Sequence, residues 1–294
     1  MGKDLFEQSP AARAVYEKAD ALLGYSISKI CFEGPESELT RTLYAQTAIF
    51  VTSMAALASF RAKAGDFQPA LTAGLSLGEF TALVAAEAIS FEEALKLIKV
   101  RAEAMESAAQ QNPGTMASIM GLDAEACKNV AQEAGCEVAN LNTPEQTVLS
   151  GTKETIESAC RIAELKGAKR AMPLKVGGAF HSSLMKPAQD RLEAVLKETP
   201  INAPQCIFIP NVTAQKVSDP DAIRDLLARQ LTSSVQWVAT MAAVKAEGLS
   251  VCLEIGPGKV LKGLAKKCQP ELQVVNIGTM ADLVAFEAQI ASSK

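Results

Sequence analysis

Apolar side chains recur at helical spacing from Ser9 to Leu23. They do so again from Arg41 to Ala64, where Leu43, Ile49, Val51, Met54 and Leu57 form an apolar face. A short apolar run at Pro69–Thr72 precedes Gly74, and the helical pattern resumes over Glu79–Ala88, so positions 74 to 78 fall at a strand-to-helix turn. Phe91–Gln110 predicts another long amphipathic helix. It is introduced by Ser90 with Glu93 three residues on, a capping-box spacing, and stops before Asn112-Pro113-Gly114.

The rhythm then shortens. Strands are predicted at Thr115–Met120, Glu137–Leu141, Gln146–Ser150 and Arg170–Val176, and helices at Asp123–Ala134 and Thr152–Lys166, with a hairpin turn at Asn142–Glu145. This is the β-α-β-β-α-β order of a ferredoxin-like unit, read as a small domain at 113–177 inserted into a larger body at 1–112 and 178–294. After Gly177-Gly178, helices (Leu184–Glu198, Ala222–Leu231, Val238–Glu247) alternate with short apolar strands (Ile207–Ile209, Val251–Ile255, Leu272–Ile277). That alternation predicts an α/β body with a mostly parallel sheet.

Composition narrows the classes. The 294 residues are 48 % hydrophobic and 21 % charged, which fits a chain able to bury its own core. A net charge of -4 gives no global attraction to nucleic acid or an anionic membrane, and neither is expected as a partner. The apolar run Ala45–Ala58 is interrupted by Gln46, Thr47, Thr52 and Ser53 and reads as shorter than the roughly 20 residues that span a bilayer. No signal or transit peptide is read at Met1–Asp4. Seven widely spaced cysteines without a C-x-x-C pair, beside a single histidine, read as buried thiols in a reducing compartment, with no metal expected.

The sharpest local signal is Gly74-Leu75-Ser76-Leu77-Gly78, a G-x-S-x-G pattern set between strand and helix. Such a turn exposes the serine oxygen at a helix N-terminus, where the N–H of Leu77 can face an oxyanion; a glycine-rich turn with a capping serine is the plainer alternative. A serine hydroxyl needs a base, and His181, at the glycine-rich junction Gly177–Ser183, is the one histidine available.

Five segments in order resemble malonyl-CoA:acyl carrier protein transacylases. They are Gly74–Leu83, Val100–Met105, Gly178–Ser182, Val235-Gln236-Trp237 and Glu254–Gly258, joined by Asn140-Leu141-Asn142-Thr143-Pro144. The resemblance implies an α/β-hydrolase-like large domain with a ferredoxin-like insert. It also implies malonyl-CoA as donor substrate with no permanently bound cofactor, and holo acyl carrier protein as partner of a monomeric enzyme of fatty acid synthesis. By the same resemblance Ser76 is the acyl-accepting nucleophile, His181 its base and Leu77 an oxyanion donor. The main-chain carbonyl of Gln230 orients the histidine in place of an acidic residue. Arg101 grips the malonyl carboxylate, with Met105, Phe180, Asn140, Asn142 and Asn211 lining the acyl pocket and cleft. An arginine suits that task because its planar fork meets a carboxylate through two parallel hydrogen bonds.

Two departures shape the expectations. The family opens with a short strand and a Gly-Gln-Gly segment. This sequence is expected to start just after them, without the second oxyanion N–H, a loss of about 3 kcal/mol in comparable sites. Leu75, where bacterial members carry histidine, resembles the plant and algal plastid branch and implies the plastid stroma, ahead of bacterial cytoplasm or mitochondrion. The alternatives are a serine hydrolase or thioesterase on a similar turn, and a weakly active or non-catalytic carrier-binding form whose basic rim draws on Lys175, Lys186, Lys262, Lys266 and Lys267.

Overall fold

A computed structural model describes residues 1–65 and 67–292. The first part runs α1 (Lys3–Gln8), α2 (Pro10–Leu23), α3 (Ile27–Glu33), α4 (Glu36–Leu39), α5 (Thr42–Ala64), β1 (Leu71–Ala73), α6 (Gly78–Ala85) and α7 (Phe91–Gln111). In α2, Ser9 accepts from the N–H of Ala12 and Pro10 takes the first turn, where its missing N–H costs nothing. The helix buries Ala12, Tyr16, Ala19 and Leu23, spaced four, three and four apart. The Tyr16 hydroxyl pairs with Thr52 at 2.8 Å, so the ring can be buried without stranding its polar end.

The 23-residue α5 is, by length and composition, apolar enough to cross a membrane, which corrects the shorter run read from the sequence. Of the apparent interruptions, Thr47 and Ser53 bond back to carbonyls of the helix itself, while Gln46 and Thr52 bond to neighbouring helices. Ser53 and Ser59 donate to the carbonyls of Ile49 and Ala55 one turn back, at 2.8 and 2.9 Å. Here 72 % of that apolar span is buried inside the protein, against α2, α3, α7 and the strands at Val251–Ile255 and Gln273–Ile277.

The middle of the chain forms β2 (Thr115–Met120), α8 (Ala124–Ala134), β3 (Glu137–Thr143), β4 (Gln146–Gly151), α9 (Lys153–Leu165) and β5 (Arg170–Pro173). These strands make one antiparallel sheet in the order β3-β4-β2-β5, backed by α8 and α9 over Ile119, Val130, Leu149 and Ile156. β5 stops at Pro173, three residues before the predicted end, with one further bond from Leu174 N to Met116 O (2.8 Å). β3 slips register against β4 on both sides of its Asn140-Leu141 pairs. Just there it leaves its own sheet to bond the body: Leu141 N donates to Val235 O (2.9 Å) and Val235 N to Ala139 O (2.8 Å).

The chain continues through α10 (Lys186–Glu198), β6 (Ile207–Ile209), α11 (Pro220–Arg229), α12 (Trp237–Ala246), β7 (Val251–Ile255), α13 (Val260–Cys268), β8 (Gln273–Ile277) and α14 (Met280–Ser292). The strands of the body pair in parallel, as expected, and among the described residues they do so as two pairs, β1–β6 and β7–β8. β1 and β6 share only three residue pairs, since Gly74 turns the first away and Pro210 ends the second. All seven cysteines are free; Cys31 and Cys127 are buried and the other five half-buried.

Candidate active site

β1 ends into a turn whose geometry is set at two residues. A side chain on Gly74 would place its Cβ 2.0 Å from the carbonyl oxygen of Gly78, so only glycine fits. Gly78, by contrast, faces open space, and close packing does not demand it. The strain falls on Ser76 itself, at φ 50°, in the left-handed region that costs a non-glycine residue about 1 kcal/mol or more. His181 is held likewise, at φ 58°. Two of the four non-glycine residues with positive φ among the described residues therefore face one another.

Ser76 Oγ lies 2.9 Å from His181 Nε2, and His181 Nδ1 lies 2.8 Å from the main-chain oxygen of Gln230. A carbonyl can only accept, so Nδ1 carries the proton and Nε2 presents its lone pair to the serine hydroxyl. Burial and the nearby Arg101 charge push the imidazole down to about 4, against which the Gln230 carbonyl pulls weakly. The ring is thus neutral at pH 7 and able to take the serine proton.

Arg101 projects from the middle of α7 and is 1 % exposed. Its Nη2 donates to Ser76 Oγ (2.9 Å) and to Gln230 Oε1 (3.0 Å), and its Nη1 donates to Gln46 Oε1. The guanidinium sits 5.8 Å above the Phe80 ring. Desolvation lowers it to about 10, so it stays cationic at neutral pH. Its Nε is buried with no acceptor among the described residues, an arrangement that favours an incoming anion.

Asn211 closes the turn from behind, its Oδ1 accepting from Ser76 N and its Nδ2 donating to Gly74 O, both at 2.6 Å. Beneath it Glu79, fully buried, accepts at Oε2 from Asn211 N (2.9 Å) and from Gln230 Nε2 (2.8 Å). Desolvation raises this carboxyl to about 7, only partly offset by those two donors and by Arg101.

The acyl transferase domain family matches residues 1–285 of the chain. A malonyl CoA-acyl carrier protein transacylase of Bacillus subtilis is 43 % identical over 282 residues, which span 94 % of this chain and 88 % of the relative. The chain belongs to the malonyl-CoA:acyl carrier protein transacylase family. A solved acyl-carrier-protein S-malonyltransferase of Burkholderia pseudomallei superposes with a TM-score of 0.92 at 41 % identity, covering 96 % of this chain and 93 % of that one. Another solved relative is a malonyl-transacylase in complex with a type II PKS acyl-carrier protein; it has a TM-score of 0.91 at 37 % identity and covers 97 % and 93 %.

Against the transacylase pattern, the structure joins Ser76, His181, Arg101, Gln230 and Asn211 in one hydrogen-bonded cluster. Leu77 follows the serine with its N–H unbonded among the described residues. Met105 is a step removed, its sulfur accepting from Gln46 Nε2 at 3.4 Å. Phe180 packs between the body and Met116, Ala139 and Val148 of the small sheet. Asn140 and Asn142 lie on β3 at the junction with Val235, and neither is hydrogen-bonded to the cluster among the described residues. The lysines expected as one rim are dispersed. Lys262 and Lys266 line a cavity of about 440 Å³ beside β8, Lys267 lines another of about 510 Å³ with Lys169 and Arg170, and Lys186 pairs with Asp190. Gln46, Glu79 and the Gln230 side chain were not anticipated. The Ser76-x-x-Glu79 spacing was the available signal for one of them.

Proposed function

We propose that the chain moves the malonyl group of malonyl-CoA onto the phosphopantetheine thiol of acyl carrier protein, for fatty acid synthesis, through a malonyl ester on Ser76. The carrying observation is the neutral His181 with Nδ1 spent on a carbonyl and Nε2 aimed at Ser76 Oγ. As Oγ bonds to the thioester carbon, Nε2 takes its proton. The tetrahedral oxyanion, facing the Leu77 N–H, then collapses and expels the CoA sulfur, which takes that proton. In the second half the carrier thiol gives its proton to Nε2 and attacks the ester, and Ser76 leaves with the proton restored.

Arg101 selects the acyl group. Its unpartnered Nε, with Nη2 once that nitrogen releases Ser76 Oγ on acylation, fits a carboxylate edge-on, an interaction acetyl does not offer. Gln46, held by Met105, braces the far side of the guanidinium. Phe180 forms the wall that disfavours a branched acyl group. The cluster is closed by hydrogen bonds within a single chain, so the reaction as proposed draws on no residue of a second copy. Leu75 supports a place in the plastid branch and the plastid stroma.

Intact-protein mass spectrometry after mixing with malonyl-CoA tests this, beside Ser76→Ala, followed by holo acyl carrier protein. A malonyl adduct that needs Ser76 and moves to the carrier is expected. Free malonate released without an acceptor would mark a hydrolase instead, and a folded protein without an adduct would refute transfer.

A further inference from the structure

The cluster contains a buried carboxyl that touches neither the serine oxygen nor the imidazole. Glu79 sits in the first turn of α6, where an acidic side chain ordinarily points to water and complements the helix dipole. Here it is turned inward and 0 % exposed. A carboxyl in that position is costly to bury unless its oxygens are used. One of them, Oε1, has no partner among the described residues, so Oε2 must account for the arrangement.

Oε2 accepts from both segments that support the reacting pair. It receives the main-chain N–H of Asn211, whose side chain clamps the turn through Ser76 N and Gly74 O. It also receives Gln230 Nε2, and that bond, with the one to Ser76 O, sets which way the Gln230 amide faces. With Nε2 committed to Glu79 and to Ser76 O (3.0 Å), Oε1 is left pointing at Arg101 Nη2. The main-chain oxygen of the same residue orients His181. Nucleophile, base and guanidinium are thus referred to a common acceptor.

We propose that Glu79 is a positioning residue for acyl transfer: through Asn211 it fixes the strained serine turn, and through the Gln230 amide it sets the orientation of Arg101 and so the preference for a dicarboxylic acyl group. This rests on the proposed roles of Ser76, His181 and Arg101. The role belongs to a hydrogen-bond acceptor at this point and does not require a full negative charge. A carboxyl raised by burial to about 7 is about half protonated at neutral pH. A glutamine carbonyl can accept the same two donors.

The test compares Glu79→Ala, Glu79→Asp and Glu79→Gln with the unaltered chain. Each is titrated for acylatable Ser76 so that rates refer to competent sites, with malonyl-CoA and acetyl-CoA as alternative donors. A displacement of about 1 Å at a reacting group costs on the order of 10²-fold, so Glu79→Ala should lose that much in kcat per site. The malonyl-to-acetyl ratio should fall with it, because the Gln230 amide loses one of its two Nε2 acceptors and is held less firmly against Arg101. Glu79→Gln should recover most of both losses. Glu79→Asp, which keeps the charge but withdraws the acceptor by one methylene, should not, and it serves if the alanine variant does not fold.

A filler of the core would behave differently: Glu79→Ala would lower the melting temperature while kcat per site and the donor ratio stayed at their original values, and that result overturns the proposal. Glutamine as poor as alanine would also overturn it, by assigning the role to charge. If the unaltered chain itself forms no Ser76 adduct, the transferase reading fails, and that failure is distinct from a negative result confined to the Glu79 variants.

Discussion

The chain passes from a parallel strand into a helix at two places that are built alike and serve different ends. After β1 the turn runs Gly74–Leu77 into α6; after β7 it runs Gly256-Pro257-Gly258 into α13. Each has a buried glutamate and a neighbouring asparagine, Glu79 with Asn211 and Glu254 with Asn276. In the second turn both carboxylate oxygens are filled: Oε1 by the N–H of Leu261, and Oε2 by the N–H of Lys262 and by Asn276 Nδ2. Positive φ is carried there by glycines, at 121° and 92°, where it costs little. In the first turn the positive φ is carried by a serine, one glutamate oxygen is unfilled, and an unpaired arginine nitrogen lies nearby. The same frame is relaxed where it only starts a helix and tense where it presents a hydroxyl.

Breaking each turn should therefore affect different quantities. Ser76→Ala should remove the acyl adduct and lower turnover by about four decades or more while the melting temperature hardly moves; residual Ser76-independent transfer at a higher level would reject the nucleophile. Gly256→Ala should do the reverse. Its Cβ would sit 2.2 Å from Ser53 Oγ at a φ of 121°, so urea unfolding should show a loss of about 2–4 kcal/mol, with the rate per acylatable site preserved. Next in size, Arg101→Ala should lower kcat/KM for malonyl-CoA relative to acetyl-CoA by about 10- to 100-fold, the range for a hydrogen bond to a charged group. Equal losses for both donors would remove Arg101 from acyl selection.

The smallest effect concerns pH. His181 is lowered to about 4, so its contribution to stability is present above 6.5 and is lost as pH falls toward 4. Glu79 is raised to about 7, so its contribution is present below 4.5 and is lost as pH rises toward 7. Between about pH 4.5 and 6.5 the two slopes oppose each other. Glu79→Gln should expose the histidine slope, making stability fall more steeply with acid than in the unaltered chain. Parallel urea-midpoint curves across that window would contradict it.

Long, periodic elements were legible because their pattern is local. α2, α5, α7 and the strands of the small sheet begin and end within a few residues of where spacing and caps put them. α13 was missed for a physical reason: it carries Gly263 in its interior, and its N-terminus is capped by Glu254, which precedes its first residue by six positions. Ser76 and His181 were legible from chemistry alone, since the turn pattern and a lone histidine leave few pairings. Arg101, Gln230 and Asn211 came only through family resemblance, as nothing local marks a mid-helix arginine as buried. Glu79 escaped because a first-turn glutamate ordinarily faces solvent, and its burial depends on segments more than 130 residues away.

The free thiols carry a last consequence. A protein that works on thioesters is exposed to acyl exchange at its own cysteines, which would divert the cargo to dead-end sites. Burial raises all seven thiols, Cys31 and Cys136 to about 11, leaving on the order of one in 10⁴ of those two as thiolate at pH 7. The scaffold is thereby poorly reactive toward the thioesters it handles.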